Sequence, residues 1–341
     1  MKKNKSIKNI LNILVLVLVT ILVLYFALKD DFNKVIAEVI SANPIWILMA
    51  VFLLFLSLLM RSICLNLLTH QFSKDFELKK SFKSVLTTQF FNAVTPFSSG
   101  GQPFQVYLLK KEGIRISDGT NIIIQDFISY QVALVILGVF AVSSNFFLHI
   151  FKKIQFLRYL TTIGFVINVL VALGLFLIII AKTFNKKVVN KLLSFLTKIH
   201  IISKNKKESL YKKASSAINE FYEGGIILFR NKKLFLKTVL LNILGLSLLY
   251  LVPLAVIFSL GIYDKLNVFL TIVASSYVML IGAFIPVPGS TGGIEYSFCQ
   301  FYGTFIYGSK LQAAMLIWRF VTYYFAMIVG GIAVNIKERR K

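Results

Sequence analysis

Six stretches of the chain, 10–28, 44–68, 118–147, 157–181, 234–260 and 311–335, are apolar over the length needed to cross a hydrocarbon core. A helix rises about 1.5 Å per residue, so about 20 apolar residues reach from one side of a bilayer to the other. With 57% of 341 residues hydrophobic, a soluble domain could not hide so much apolar surface. The expected fold class is therefore an all-α polytopic membrane protein, because lipid offers no partner to backbone N–H and C=O groups and a helix satisfies its own. Lysines precede 10–28, but its apolar core is long and no small-x-small cleavage pattern follows, so it reads as a retained anchor. The chain, 1–341, reads as a single integral membrane domain.

Charge sets the expected orientation. The net charge is +24, and the basic residues cluster in 1–8, 69–83, 110–116, 182–233 and the terminal "KERRK". On the other side fall Lys29, Lys34, Lys152, Lys153, Arg158, Lys265 and Lys310. The positive-inside rule then predicts cytoplasmic N and C termini. Because the charge lies between spans, nucleic acid is not an expected partner. The basic loop 182–233 begins "KTFNKKVVNKLLSFLTKIHIISKNKKESLYKK", with apolar and basic residues alternating at roughly helical spacing. Two readings stand for it: a layer on the anionic inner-leaflet surface, or ordinary connecting helices. Cys64 and Cys299 lie in apolar segments, and His70, His149 and His200 are scattered, so neither a disulfide framework nor a metal site is expected. There is no Walker loop, and no cofactor is expected. Arg61, near the end of its span, reads as a snorkelling anchor.

Two further apolar segments do not fit as spans. "KSVLTTQFFNAVTPFSSGGQPFQVYLL" is interrupted by two prolines and Gly-Gly, and "LNVFLTIVASSYVMLIGAFIPVPGSTGGIEYSFCQFYG" by Pro286, Pro288, Gly289, Gly292 and Gly293. Neither can be one straight helix. Irregular backbone at membrane depth survives only where protein buries it or where it lines a wet cavity. Both therefore read as re-entrant helical hairpins, the first entering from the cytoplasm and the second from outside, in addition to six transmembrane helices.

The interruptions resemble each other: "TPFSSGG" at 95–101 returns as "VPGSTGG" at 287–293. Downstream of each, at nearly the same interval, a charged residue opens a similar run, Asp126 in "DFISY" and Arg319 in "RFVTY". Loop and span thus repeat as a unit, about 69–147 and about 262–336, expected as inverted-topology repeats around a midplane site. The half-helices after the loops, 102–112 and 292–306, would aim their N termini at that site. Unpaired N–H groups and the helix dipole favour an anion there. Gly100, Gly101, Gly292 and Gly293 would let a phosphate approach the backbone, Ser98, Ser99, Ser290 and Thr291 would offer hydroxyls, and Gln102 and Gln105 amides. Asp126 and Arg319 both approach the midplane, and their mirrored positions predict a mutual ion pair. Glu295 reads equally as a helix-start acid and as a group facing a cationic headgroup or carrying a proton. The competing reading of the whole pattern is that Gly and Ser merely permit tight hairpin packing.

The residues "FNAVTPFSSGGQPFQVYLLKKEG" and "PVPGSTGGIE" resemble those of the lysylphosphatidylglycerol synthase transmembrane-region family, over nearly the whole chain. The family pattern Pro-x-Pro-Gly-Gly-x-Gly-x-x-Glu falls on Pro286, Pro288, Gly289, Ser290, Gly292 and Glu295, with Ser290 in place of a usual glycine. The resemblance implies the flippase half of the bacterial multiple peptide resistance factor, which moves aminoacylated phosphatidylglycerol between leaflets of the cytoplasmic membrane. That activity lowers surface negative charge and protects against cationic antimicrobial peptides. Full-length relatives carry a soluble domain that transfers lysine from lysyl-tRNA, and with the sequence ending five residues after Ile336 that domain is not expected here. The expected function is thus translocation of an anionic or aminoacylated phospholipid. The alternatives are a polyprenyl-phosphate lipid transporter, a small-solute or ion transporter, and a membrane partner of a separate lysyltransferase. An intramembrane enzyme would have only Glu295 and Asp126 to work with.

Overall fold

The computed structural model describes residues 32–95, 100–151, 155–180, 182–198, 202–282, 285 and 287–336. Every regular element among them is helical. The expected first span, 10–28, lies outside the described residues, as do Ser98 and Ser99 of the first loop.

A short helix α1 (Phe32–Ser41) leads to Asn43, whose Oδ1 accepts the Ile45 N–H at 2.9 Å and so starts α2 (Pro44–Thr69), with proline in the first turn where its missing N–H does no harm. The helices α3 (Leu78–Ala93) and α4 (Gly101–Lys111) flank the first break, and α5 (Ile116–Leu148) follows. Next come α6 (Gln155–Ile180), α7 (Lys182–Lys198), α8 (Lys204–Arg230), α9 (Lys232–Tyr250) and α10 (Val252–Ser259). The second break lies between α11 (Val268–Gly282) and α12 (Gly293–Tyr302). The last long helix is α13 (Ser309–Arg319), a π-helical turn at Phe320–Phe325, and α14 (Ala326–Asn335).

Among the described residues, four helical runs are long and apolar enough to cross a membrane: Pro44–Thr69, Ile116–Leu148, Lys232–Ser259 and Ser309–Asn335. They match four of the expected spans. The expected span 157–181 falls on α6, a helix of 26 residues. Leu236, Leu240 and Leu244, one helical turn apart on α9, are exposed, as are Ile163 and Leu170 of α6. In water such stripes would aggregate; in a bilayer they are the natural contact with lipid tails.

The bundle is organised around α2, which packs against α3, α5, α9 and α10. Small residues set the closest approaches. A Cβ on Gly245 of α9 would stand 3.3 Å from Met60 Cβ and 3.4 Å from the Ser57 carbonyl of α2. Near the second break, Phe298 is stacked between Tyr302 and Trp318, with centroids 4.3 and 4.6 Å away, which fastens α12 to α13.

Both interrupted segments break where prolines and glycines predict. Each is helix, break, shorter helix, then long helix: α3, α4, α5 in the first and α11, α12, α13 to α14 in the second. Asp126 and Arg319 stand at the same register from the starts of α5 and α13. The second half-helix is shorter than expected: it closes at Tyr302, where the Gly303 N–H donates to the Cys299 carbonyl at 2.9 Å, rather than continuing to 306. The basic loop folds as two helices, α7 and α8. They pack on each other, and α8 also packs on α5 and α6, with Gly224 against Ile124 and Gly225 against Ile179.

The two interrupted segments are joined through α14 and α3. At their crossing, a Cβ on Gly330 would lie 2.6 Å from the Leu86 carbonyl and 2.8 Å from the Phe90 nitrogen, both rigid backbone. Gly330→Leu is therefore expected to destabilise the protein by about 1–3 kcal/mol through overpacking, read as a lower Tm in detergent. Gly174→Ala, where a Cβ would meet nothing within 4 Å, should leave Tm unchanged or raise it.

Candidate functional site

The second break is built from backbone that most residues avoid. Gly289, Ser290 and Gly292 have φ of 62°, 54° and 95°. Gly289 has a second reason to be glycine, since a Cβ there would overlap the ring of Tyr323. Ser290 holds a left-handed conformation that costs a non-glycine residue about 1–2 kcal/mol. Its Oγ donates to the Gly282 carbonyl at 2.8 Å, satisfying the last turn of α11. That position calls for glycine by its φ, and the serine is tolerated because its hydroxyl closes a helix end.

Glu295 sits in the first turn of α12, and its Oε2 accepts the Gly292 N–H at 2.6 Å, half of a capping box closed from inside the helix. Its other oxygen, Oε1, lies 2.6 Å from Arg319 Nε. The Nε–H does not point along that contact, so it is an ion pair rather than an aligned hydrogen bond. The aligned bonds of Arg319 come from Nη2, which donates to the Gly289 carbonyl at 2.6 Å and to Thr291 Oγ1 at 3.2 Å. Thr291 in turn donates to the Pro288 carbonyl at 3.0 Å. The side chains of Arg319 and Glu295 are only 8% and 5% exposed, so the pair is desolvated.

The guanidinium also lies 4.1 Å from the centre of the Tyr323 ring, a cation–π contact supplied by the π-helical turn that begins immediately after Arg319. Tyr323 donates its hydroxyl to the Ala93 carbonyl at 3.0 Å, and α3 packs against the Pro288–Ser290 turn. The second loop therefore meets the first interrupted segment at the end of α3, directly before the first loop.

The first break is capped differently. The Gly100 N–H donates to Thr95 Oγ1 and the Gly101 N–H to Asn92 Oδ1, each at 2.9 Å. Phe91 and Phe104 stack across the break with centroids 3.8 Å apart. The N–H groups expected to receive an anion at Gly100, Gly101 and Gly292 are thus already bound by the chain's own Thr95, Asn92 and Glu295. The positive group next to the second loop is Arg319. Gln102 is exposed and Gln105 buried on α4, and neither takes part in the bonds that tie Arg319. Gly293 packs against Ile285.

The expected Asp126–Arg319 pair does not form: the carboxylate on Arg319 is Glu295. Asp126 instead receives the thiol of Cys64 at 3.4 Å, in a separate cluster of α2, α5 and α9. The reason is local. Glu295 is held within reach of Arg319 by its own helix cap, whereas Asp126 belongs to the other segment and points into the α2–α9 contact. Asn92, Thr95 and Tyr323 are site residues that the sequence reading passed over. Asn and Thr just before a Gly-Gly are residues that cap helices, and in "RFVTY" the tyrosine stands one helical turn from the arginine.

A bundle of long apolar helices with two helical breaks and a buried ion pair at one of them defines a polytopic helical membrane protein. The chain belongs to the lysylphosphatidylglycerol synthase TM region family, whose sequence profile matches residues 11–330. It is similar to a UPF0104 membrane protein of Archaeoglobus fulgidus, 25% identical over 330 residues that cover 94% of this chain and 95% of that one. It is also similar to the uncharacterized protein MG306 of Mycoplasma genitalium, 22% identical over 345 residues, covering 93% and 85%.

Removing one partner of a buried pair leaves an uncompensated charge, so Glu295→Ala and Arg319→Met should each cost about 3–5 kcal/mol. The double variant is expected to cost less than the sum by about 0.5–3 kcal/mol. Denaturant unfolding of the four proteins in one detergent gives the cycle, and strict additivity would mean that the two side chains do not act as a pair.

Proposed function

We propose that this membrane protein translocates an anionic or aminoacylated phospholipid of the lysyl-phosphatidylglycerol kind between leaflets. The observation that carries the reading is the desolvated Arg319–Glu295 pair tied to the second break. A charge inside a membrane-spanning helix is costly and marks a functional site by default. Arg319 is neutralised by a carboxylate, and a phosphate is an alternative anionic partner that a guanidinium can also bind in a fork. An arriving headgroup phosphate takes the place of Glu295 on Arg319. Glu295 keeps its bond to the Gly292 N–H and is then free to face the ammonium of an aminoacyl group. The acyl tails stay in lipid. The family's description supplies the lipid class, and exporting such a lipid would reduce the negative charge of the outer surface and so blunt attack by cationic peptides.

The arrangement we propose for this task is the one the sequence pattern suggests: six spans and two re-entrant hairpins as inverted repeats, with both termini cytoplasmic. The shared order of helix, break, helix and long helix supports it, as does the equivalent register of Asp126 and Arg319. For either segment to part from the other, the α14–α3 packing and the Tyr323–Ala93 bond both have to open. We further assign α7 to the anionic inner-leaflet surface. Val188, Leu192 and Phe195 form one exposed apolar stripe on it, with Lys187, Lys191 and Lys198 one step around the helix, the geometry of a helix lying in the interface.

Lipid mass spectrometry on the purified protein tests the cargo. The parent is expected to retain a specific anionic or aminoacylated lipid that Arg319→Ala loses and Arg319→Lys, which keeps the charge but not the fork, holds weakly. Equal lipid content in all three, with none enriched over the bulk membrane, would sink the reading. The placement of α7 is checked with a spin label at Phe195→Cys in a Cys299→Ser background, in phosphatidylglycerol vesicles. The label should be accessible to oxygen and shielded from a water-soluble nickel complex, and the opposite pattern rules the placement out.

A further inference from the structure

The pair at the second break leaves one ionisable group of the membrane-spanning helices without a task. Asp126 is 8% exposed, and among the described residues no cation lies within ion-pair distance of it. Arg61, a positive charge acting on it, rests over the Tyr130 ring at 4.9 Å. The partner of Asp126 is a weak one, the Cys64 thiol donating to Oδ1 at 3.4 Å. Around that contact Asn242 Nδ2 donates to Cys64 Sγ at 3.3 Å and to the Thr238 carbonyl at 3.0 Å, and Ser129 and Thr238 share a hydroxyl bond of 2.9 Å. Cys64, Ser129, Thr238 and Asn242 are all at most 1% exposed. Three helices thus contribute neutral polar groups around a single carboxyl.

A second, independent feature leads to this cluster. Asn121, Gln125 and Ser129 are spaced at i, i+4 and i+8, so they form one row along α5. Gln125 is fully buried, and its Oε1 accepts from the amide of exposed Gln71, beyond the end of α2, at 2.8 Å. Asn121 Oδ1 and Gln125 Nε2 are buried and, among the described residues, have no hydrogen-bond partner, which leaves them open to water. The row is tied to the protein surface by the Gln71–Gln125 bond and passes beside Asp126 to Ser129.

We propose that Asp126, framed by Cys64, Ser129, Thr238 and Asn242, is a buried proton-binding site reached along the Asn121–Gln125 row, distinct from the Arg319 site. The Cys64 S–H occupies Oδ1 as an acceptor, so the proton arriving from water forms its O–H bond at Oδ2, and the same row returns it. The groups facing the carboxyl suit this exchange. From α2 they are Arg61 and Cys64, and from α9 the uncharged Thr238 and Asn242. The helices α4, α6, α8 and α11 also pack on α5, yet the titratable groups acting on Asp126 are Arg61 and Cys64. With no cation bound directly to it, the carboxyl can be neutral or charged without breaking an ion pair. The inference does not rest on lipid movement and would stand for any cargo.

Infrared spectroscopy of the full chain in nanodiscs, followed from acid to alkaline pH, tests the site. A protonated-carboxyl carbonyl band is expected to titrate, to shift in heavy water, and to be lost completely in Asp126→Asn. Gln125→Leu should slow the heavy-water shift without removing the band, and Cys64→Ala, which removes the thiol donor, should move the band's position. Because the parent alone must show the titrating band, misfolding of a variant does not rescue the proposal. It is overturned if the parent has no such band, if Asp126→Asn and Cys64→Ala leave it unaltered, or if exchanging sodium for choline at fixed pH produces the same change, which would make the ligand a metal cation.

Discussion

Backbone N–H and C=O groups inside hydrocarbon have to be paired by the chain itself, and this one constraint governs both the spans and the breaks. Along an apolar helix the pairing is automatic. At the two breaks it is not, and the residues that look most functional in sequence are those that repair it. Thr95 and Asn92 take the N–H groups of Gly100 and Gly101, Ser290 takes the carbonyl of Gly282, Glu295 takes the N–H of Gly292, and Arg319 takes the carbonyl of Gly289. Removing the constraint would leave these polar groups with no reason to be where they are.

The repair of the second break is charged, and that makes it different in kind from the first. A neutral cap such as Asn92 has only a local energy. Glu295 brings a full negative charge into a buried turn, where it is tolerable only because Arg319 lies 2.6 Å away. Arg319 in turn reaches Gly289 and Thr291 and lies over Tyr323, whose hydroxyl reaches Ala93 of the other interrupted segment. One ion pair therefore fixes a loop, a helix start and the contact between two segments. Anything that competes for the guanidinium acts on all three at once, which is how a headgroup could be felt across the contact without a separate signalling element.

The sequence was legible wherever a single residue's physics decides the outcome. Long apolar runs gave α2, α5, α9 with α10, and α13 to α14, and Pro288, Gly289 and Gly292 marked the second break. The cost of a charge among apolar residues singled out Arg319 and Asp126. Their partners were not legible, because a partner depends on which helices touch. Mirrored positions suggested that Asp126 and Arg319 meet, but the helix cap had already placed Glu295 beside Arg319, and packing of α5 on α2 placed Asp126 beside Cys64. Asn92 and Thr95 were missed for a related reason: across a break, a side chain several residues upstream can reach the new helix start, and spacing rules written for continuous helices do not include that distance.

The two interrupted segments also divide the charges unequally. The second contains both members of its pair, Glu295 and Arg319, and is electrically closed. The first is capped by neutral groups and carries Asp126 with no counterpart of its own, since Arg61 comes from α2 and rests on Tyr130. If the two segments arose as copies, they have not kept the same electrostatics: one holds a salt-bridged loop suited to exchange with an anion, the other a lone carboxyl among hydroxyls, an amide and a thiol. A pair that is already neutral gains little from a proton, whereas a lone buried carboxyl changes its net charge when it takes one. On the two proposals made above, the second segment would handle an anion and the first a proton, and the two segments meet where α14 packs on α3 and at the Tyr323–Ala93 bond.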